Sequence, residues 1–393
     1  MPREAWAVAA LALLMAIWWI TEALPLAATA LCPLVLLPML GVTPIEKVAP
    51  AYADPLIFLF LGGFLIAWTM ERWQLHNFVS LLIIRVGGSG ARALIASLMV
   101  ATAFLSIWIS NTAAALLMLP IGLSIIAEQR SGFGDATPED DQFAPALMLG
   151  IAFSATIGGM ASLIGTPPNA LFAAFLKSNY GIEIGFARWM LIGIPIALLL
   201  LPLAWLVLTR LAFRLPKEDL SRSHRTGFSE ISVQSLSYPA RKAVLIILIA
   251  ALALILRPLM ETMMPGLRIS DAGILLSAAL VLFALPARWS ESTRLLSWED
   301  ARTILWDVLI LFGGGLALAS AIDGSGLSQW IGSSFAMLNY LPIALIVLIV
   351  IAVVVYLGEL ASNTAMAAVF LPIAAATAVS LGQAPLTLVL PVA

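Results

Sequence analysis

One twelve-residue passage occurs twice in this 393-residue chain, 252 positions apart, and no other feature restricts the fold as strongly. Residues 110–121 and 362–373 agree at eight of twelve positions, including Ser110-Asn111-Thr112-Ala113 against Ser362-Asn363-Thr364-Ala365 and Leu119-Pro120-Ile121 against Leu371-Pro372-Ile373. The same offset lays Phe60-Leu61-Gly62-Gly63 on Phe312-Gly313-Gly314-Gly315. Two matches in one register mark an internal duplication, so the chain must fold as two related halves.

Composition decides the solvent. The chain is 62% apolar and 11% charged, where a soluble domain carries about 25% charged residues. Its mean hydropathy is +1.03. Too few charges remain to cover a water-facing surface, so most of that surface must face lipid. A soluble enzyme, a nucleic-acid binder and a disordered scaffold are excluded, and a net charge of −2 carries no polyanion signal. The expectation is an all-α polytopic protein of the cell membrane, with the bilayer as partner and no nucleic acid. Cys32 is the single cysteine and lies in an apolar run, so it reads as packing.

A membrane-crossing helix needs about 20 apolar residues. Two runs, 91–127 and 341–382, are too long for one span and too short for two spans and a turn. Each carries a Ser-Asn-Thr triplet near its middle, and each reads as a re-entrant helical hairpin. A third run, 143–176, is broken by Gly165-Thr166-Pro167-Pro168-Asn169. The expected organisation is a first repeat over 1–210, a polar cytoplasmic linker over 211–242, and a second repeat over 243–393. Residues 135–141 read as a solvated acidic turn.

Basic residues then orient the halves. With the first span running outside to inside, fourteen Lys and Arg fall in cytoplasmic loops and six outside, the bias expected of cytoplasmic loops. Residues 71–90 become a surface helix inside, and their Lys- and Arg-free counterparts 322–340 lie outside. The hairpins thus enter from opposite faces, an inverted repeat of the kind alternating-access transporters use. This topology puts Met1 outside, and the counterpart of residues 165–169 would fall at about 417–421, beyond Ala393. The expectation is a chain cut at both ends.

The chemistry concentrates at the triplets. A hairpin tip presents backbone N–H groups at a helix N-terminus, where the dipole favours an anion. Ser110, Asn111, Thr112, Ser362, Asn363 and Thr364 add small donors for carboxylate or sulfate oxygens and acceptors for a cation. Two prolines in Gly-Thr-Pro-Pro-Asn remove amide donors and free carbonyls, which with a hairpin asparagine would make an oxygen cage for Na⁺. Apart from Arg92 at the outer end of the first, neither hairpin holds a Lys or Arg, so a bound anion needs neutral donors, helix dipoles and cations. Glu22, Asp307 and Glu359 are acids within or beside apolar spans, candidates for a proton relay or for helix caps.

At these residues the chain resembles the divalent anion:sodium symporter family, the INDY-like dicarboxylate transporters. The resemblance rests on Trp18-Trp19-Ile20-Thr21-Glu22-Ala23-Leu24-Pro25, both Ser-Asn-Thr motifs and Gly-Thr-Pro-Pro-Asn, and covers nearly the whole length. It implies a homodimer, an elevator mechanism with a scaffold part and a transport part, and substrates such as succinate, malate, fumarate, citrate or sulfate. It places a first sodium at Ser106, Asn111 and the Gly165 carbonyl, and a second at Ala361 and Asn363. Substrate would meet both triplets, with Thr166 and Pro167 close by. The family usually has a hydroxyl residue four positions before the second serine. This chain has Gly358 there, which removes one ligand implied for the second sodium.

The resulting reading is a secondary active transporter of small divalent anions, coupled to Na⁺. The alternatives within transport are a sodium-independent exchanger and a sulfate or other oxyanion symporter. An intramembrane enzyme is disfavoured: His76 and His224 are the only histidines, both near or in polar stretches, which leaves Ser110 and Ser362 without a base. The 252 offset lays the Asp307/Asp323 pair on Pro55 and Glu71, so the first repeat has no matching pair of acids.

Overall fold

The computed structural model describes the chain apart from residues 77, 79–81, 84–89, 133–139, 216–235, 264–265, 267–268, 289–292, 335–339, 360–361 and 393. The expected linker, the acidic turn and the surface helix over 71–90 fall largely outside the described residues, as do residues 335–339 of its counterpart.

The first half forms α1 (Arg3–Thr21), α2 (Leu26–Ala30), α3 (Cys32–Met39), α4 (Ile45–Val48), a 3₁₀ turn (Ala49–Ala53), α5 (Pro55–Arg72), α6 (Ala91–Ser106), α7 (Asn111–Gly132), α8 (Asp140–Gly159), α9 (Pro167–Tyr180) and α10 (Phe186–Leu206). The second half forms α11 (Tyr238–Met263), α12 (Asp271–Ala284), α13 (Trp298–Ala301), α14 (Trp306–Gly324), α15 (Leu327–Ser334), α16 (Ile343–Gly358), α17 (Asn363–Ser380) and α18 (Leu386–Val389). Seven of the described helices are long and apolar enough to cross a membrane. Both expected hairpins are present as paired helices, α6 with α7 and α16 with α17. Pro120 and Pro372 lie inside α7 and α17, which run on past them.

The helices gather into two compact units, each drawing on both halves of the sequence. The first contains residues 1–61, 167–185 and 305–393, the second residues 62–166 and 186–304. In the first unit α14 is central, packing on α2, α9 and α17. Its glycine triplet permits this. A Cβ on Gly313 would strike the Tyr52 ring, and one on Gly314 the Ala30 backbone, while one on Gly315 would sit 3.2 Å from Ala368 and 3.3 Å from Leu171. Tyr52 donates its hydroxyl proton to the Ala30 carbonyl at 2.5 Å, and the rings of Phe60 and Phe312 meet edge to face at 4.9 Å. Small residues let backbones approach, which is how helices associate where lipid removes the hydrophobic drive. By contrast α16 is apolar on every side, and Ile346 is its one buried residue.

In the second unit α8 packs on both α6 and α7. Glycines again set the spacing: a Cβ on Gly150 would lie 3.2 Å from Met99, and one on Gly158 would enter the Ala103 backbone. Asp271 at the start of α12 accepts the Phe186 N–H at 2.8 Å and pairs with Arg257 of α11 at 2.9 Å, which ties the beginning of α10 to the α11–α12 pair. Asp300 closes a capping box with Ser297 and forms an ion pair with Arg72. The Arg72 guanidinium also lies over the Trp68 and Trp73 rings, 5.7 and 5.6 Å from their centroids.

Candidate functional site

The first Ser-Asn-Thr motif belongs to the second unit and is built around one asparagine. Helix α6 ends at Ser106, four residues turn the chain, and α7 starts at Asn111. Ser110 caps the new helix by accepting the Ala113 N–H at 3.3 Å, the usual use of serine before a helix. Thr112 is exposed on the first turn, and Ser110 and Asn111 are half-buried.

The Asn111 amide faces inward among oxygen atoms. Its inner atom lies 3.0 Å from the Ser106 hydroxyl and 3.2 Å from the carbonyls of Gly165 and Ala155. Ser106 is fully buried and donates to the Ala155 carbonyl at 2.6 Å. With nitrogen inward the amide donates to those acceptors, and with oxygen inward four oxygens converge. Oxygens about 2.4 Å from a hard cation stand about 3.4 Å from one another at right angles. The amide atom's spacings of 3.0 and 3.2 Å approach that edge length, while the Ser106 hydroxyl and the Ala155 carbonyl are closer, at 2.6 Å. The set is neutral and hard, which suits Na⁺ and not a soft metal.

Glycine makes the cage possible. A Cβ on Gly159 would collide with the Asn111 amide, and one on Gly165 would lie 2.5 Å from the Gly159 carbonyl and 2.6 Å from that of Ser106. Ser162 pins the loop by donating to the Ile107 carbonyl at 2.5 Å and accepting the Gly165 N–H at 3.0 Å. Ala155, Gly159 and Ser162 are absent from the sequence-based site. The Gly158-Gly159 pair just before the break was the available signal for one of them.

The break itself differs from expectation. Pro167 and Pro168 do not interrupt a helix; they open α9, where their missing N–H groups would have had no helical partner. The free carbonyls come instead from the end of α8 and the turn over 160–166. Thr166 closes that turn and is buried, while Pro167 is half-buried in the first unit.

The second motif belongs to the first unit. Ser362 precedes α17 without a side-chain cap, Asn363 is exposed and Thr364 is buried. Ala361 lies outside the described residues. Helices α9 and α14 both pack on α17, so the helices opened by Pro167 and by Asn363 share one unit. Gly358 ends α16, and among the described residues a Cβ built there would find one atom within 4 Å, the Asn363 Oδ1 at 3.6 Å.

The flanking acids are not buried in the protein: Glu22, Asp307 and Glu359 are all exposed. Asp307 and Asp323 stand at opposite ends of α14, about 24 Å apart at 1.5 Å per residue, which rules out an aspartyl dyad.

The sequence matches the family described as citrate transporter over residues 16–393. It is 41% identical over 393 residues to the sodium-dependent dicarboxylate transporter SdcS of Staphylococcus saprophyticus, covering 98% of this chain and 75% of that protein. The protein of the same description from Staphylococcus aureus strain bovine RF122 is 40% identical over 408 residues, covering 100% and 76%. The crystal structure of the Alcanivorax borkumensis YdaH transporter, described as having an unusual topology, matches with a TM-score of 0.55 at 16% identity, covering 98% of this chain and 84% of that one. With a family match over nearly all its residues and relatives of this similarity, the chain belongs to the citrate transporter family of multi-pass membrane proteins.

Proposed function

We propose that this chain is a secondary active transporter that carries small dicarboxylates, with succinate as the type substrate, by coupling them to Na⁺. The observation that carries the reading is the inward-facing Asn111 amide, set among the Ser106 hydroxyl and the Gly165 and Ala155 carbonyls. The set holds no charged group, so a cation there leaves net positive charge beside the N-terminus of α7. That charge and the helix dipole attract a carboxylate together. Ser110, Asn111 and Thr112 of one motif and Ser362, Asn363 and Thr364 of the other are the proposed substrate contacts, with Thr166 and Pro167 adjoining. Ser106, Asn111 and Gly165 are the proposed ligands of one sodium, and Ala361 and Asn363 those of a second.

Na⁺ is cargo in this scheme. Its binding raises the affinity for the dianion, and the dianion raises that for Na⁺ by the same factor. The names of the relatives support a sodium-dependent dicarboxylate carrier, and the family description supports citrate as a competing substrate. The inverted repeat expected from the 252-residue offset supports alternating exposure through an elevator movement. Apolar side chains exposed along α1, among them Trp6, Leu13 and Ile17, support a lipid-facing or homodimeric surface.

The test is radiolabelled succinate uptake into proteoliposomes under an inward Na⁺ gradient, with citrate and sulfate as competitors. Gradient-dependent uptake is expected, inhibited by unlabelled succinate. Uptake that needs internal dicarboxylate and ignores Na⁺ would overturn symport in favour of exchange.

A further inference from the structure

The first turns of α10 reach both segments that frame the Asn111 amide. Phe186, the first residue of that helix, is fully buried, and its ring lies 6.2 Å from that of Trp108 in the hairpin turn over 107–110. That is aromatic contact distance. One turn further on, the buried Trp189 donates its indole N–H to the Met160 carbonyl at 3.0 Å. After one more turn comes Gly193, where a Cβ would strike the same carbonyl. Met160 lies just past the end of α8, where carbonyls have no helical partner. It opens the turn over 160–166 that brings the Gly165 carbonyl to Asn111.

The start of α10 is itself held. The first N–H of a helix has no partner within that helix, and here Asp271 of α12 accepts the Phe186 N–H at 2.8 Å. Arg257 of α11 pairs with the same carboxylate at 2.9 Å. Contacts therefore run from the α11–α12 pair, through two turns of α10, to the turn that carries Gly165.

Resting on the sodium-coupled reading above, we propose that Trp189 is a positioning residue for the Asn111 cation site. It acts through the Met160 carbonyl, which fixes where the 160–166 turn begins and so where Gly165 meets Asn111. Asp271 keeps Trp189 in register by fixing the end of its helix. A ligand cage depends on the groups that orient its ligands as well as on the ligands.

Trp189→Phe keeps an aromatic ring and removes the N–H. Trp205 supplies the matched control: it lies on the same helix and donates its indole N–H to the Arg92 carbonyl at 3.0 Å. It stands about 24 Å further along α10 at 1.5 Å per residue.

The experiment titrates Na⁺ against the purified full chain in detergent, at constant ionic strength with choline as replacement, and reads the rise in thermal unfolding midpoint. Backbone hydrogen exchange over 160–166 is measured separately without Na⁺. Trp189→Phe is expected to raise half-saturating Na⁺ roughly fivefold, the worth of about one net hydrogen bond, and to speed that exchange. Trp205→Phe should leave both at parent values, whatever it does to the starting midpoint. Asp271→Ala should also raise half-saturating Na⁺. Combined with Trp189→Phe it should give less than the product of the two effects, because both act through α10.

Equal sodium shifts in Trp189→Phe and Trp205→Phe would overturn the proposal. So would faster exchange in Trp189→Phe with its sodium affinity unchanged, which would leave Trp189 as packing alone. A parent that does not respond to Na⁺ would overturn the sodium-coupled reading instead. Exchange over 160–166 then decides the positioning role by itself, and parent-like rates in Trp189→Phe would overturn that as well.

Discussion

The Asn111 amide rests on the bare side of Gly159, where a single methyl group would overlap its Oδ1. The end of α8 is thereby part of the proposed cation cage. Gly159→Ala must push the amide out of reach of Ser106 and Gly165. The expected outcome is loss of sodium-driven succinate uptake by about a hundredfold or more, since misplacement of about 1 Å at a site costs on that order. The stability cost expected is about 1–3 kcal/mol for overpacking. Uptake within twofold of the parent would show that the Asn111 amide has no part in transport.

Ser106→Ala removes the hydroxyl that joins Asn111 to the Ala155 carbonyl and leaves that buried carbonyl without its side-chain donor. Half-saturation by Na⁺ should rise roughly tenfold, consistent with the about 1–3 kcal/mol cost of unmaking a buried hydrogen bond. At saturating Na⁺ the succinate KM should change far less. A KM defect that excess Na⁺ does not relieve would move Ser106 from the cation to the substrate.

Asp300 serves two partners in the second unit, the Arg72 guanidinium and the Ser297 N–H, which it accepts at 2.8 Å. Its side chain is 14% exposed and that of Arg72 27%, so solvent screens the pair only in part. Asp300→Ala should lower stability by about 2–3 kcal/mol, combining a lost cap with an unpaired, partly buried arginine. Asp300→Asn keeps an acceptor for Ser297 and should cost about half as much. Thermal unfolding midpoints in detergent measure both, and equal losses would show that the ion pair alone matters.

In the first unit, Gly314→Ala should be far more damaging than Gly324→Ala, although both lie on α14. A Cβ on Gly314 meets the Ala30 carbonyl and side chain, whereas one on Gly324 meets nothing within 4 Å among the described residues. Overpacking against a backbone carbonyl is expected to cost about 3 kcal/mol, visible as loss of monodisperse protein on size exclusion. Gly324→Ala should be neutral or slightly stabilising, as glycine is a poor helix former. Similar behaviour of the two variants would remove the close α2–α14 approach as a determinant of the fold.

Much of this protein was legible in its residues. The apolar composition names lipid as the solvent, because 11% charged residues cannot face water over a chain of this size. Hydropathy and the length of runs 91–127 and 341–382 are local properties, and they sufficed for two helical hairpins broken at Ser-Asn-Thr. The offset of 252 identified Asn111 and its second-copy partner Asn363, because duplication preserves register, while Ser106 and Gly358 came into view through the family resemblance. Gly165 was likewise in view through its proline-flanked break.

Only the tertiary structure decided how those parts meet. That Ala155 and Gly159 meet Asn111, with Ser162 holding the Gly165 turn, depends on α8 packing on both α6 and α7 at glycine-set distance, a contact no local pattern records. That Pro167 and Pro168 open a helix and do not break one depends on where α8 stops. That each compact unit takes residues from both repeats depends on packing between segments far apart in sequence. Periodicity and hydropathy act over one or two helical turns. The cage around Asn111 is set by which backbones approach closely, and that is a property of the packed chain.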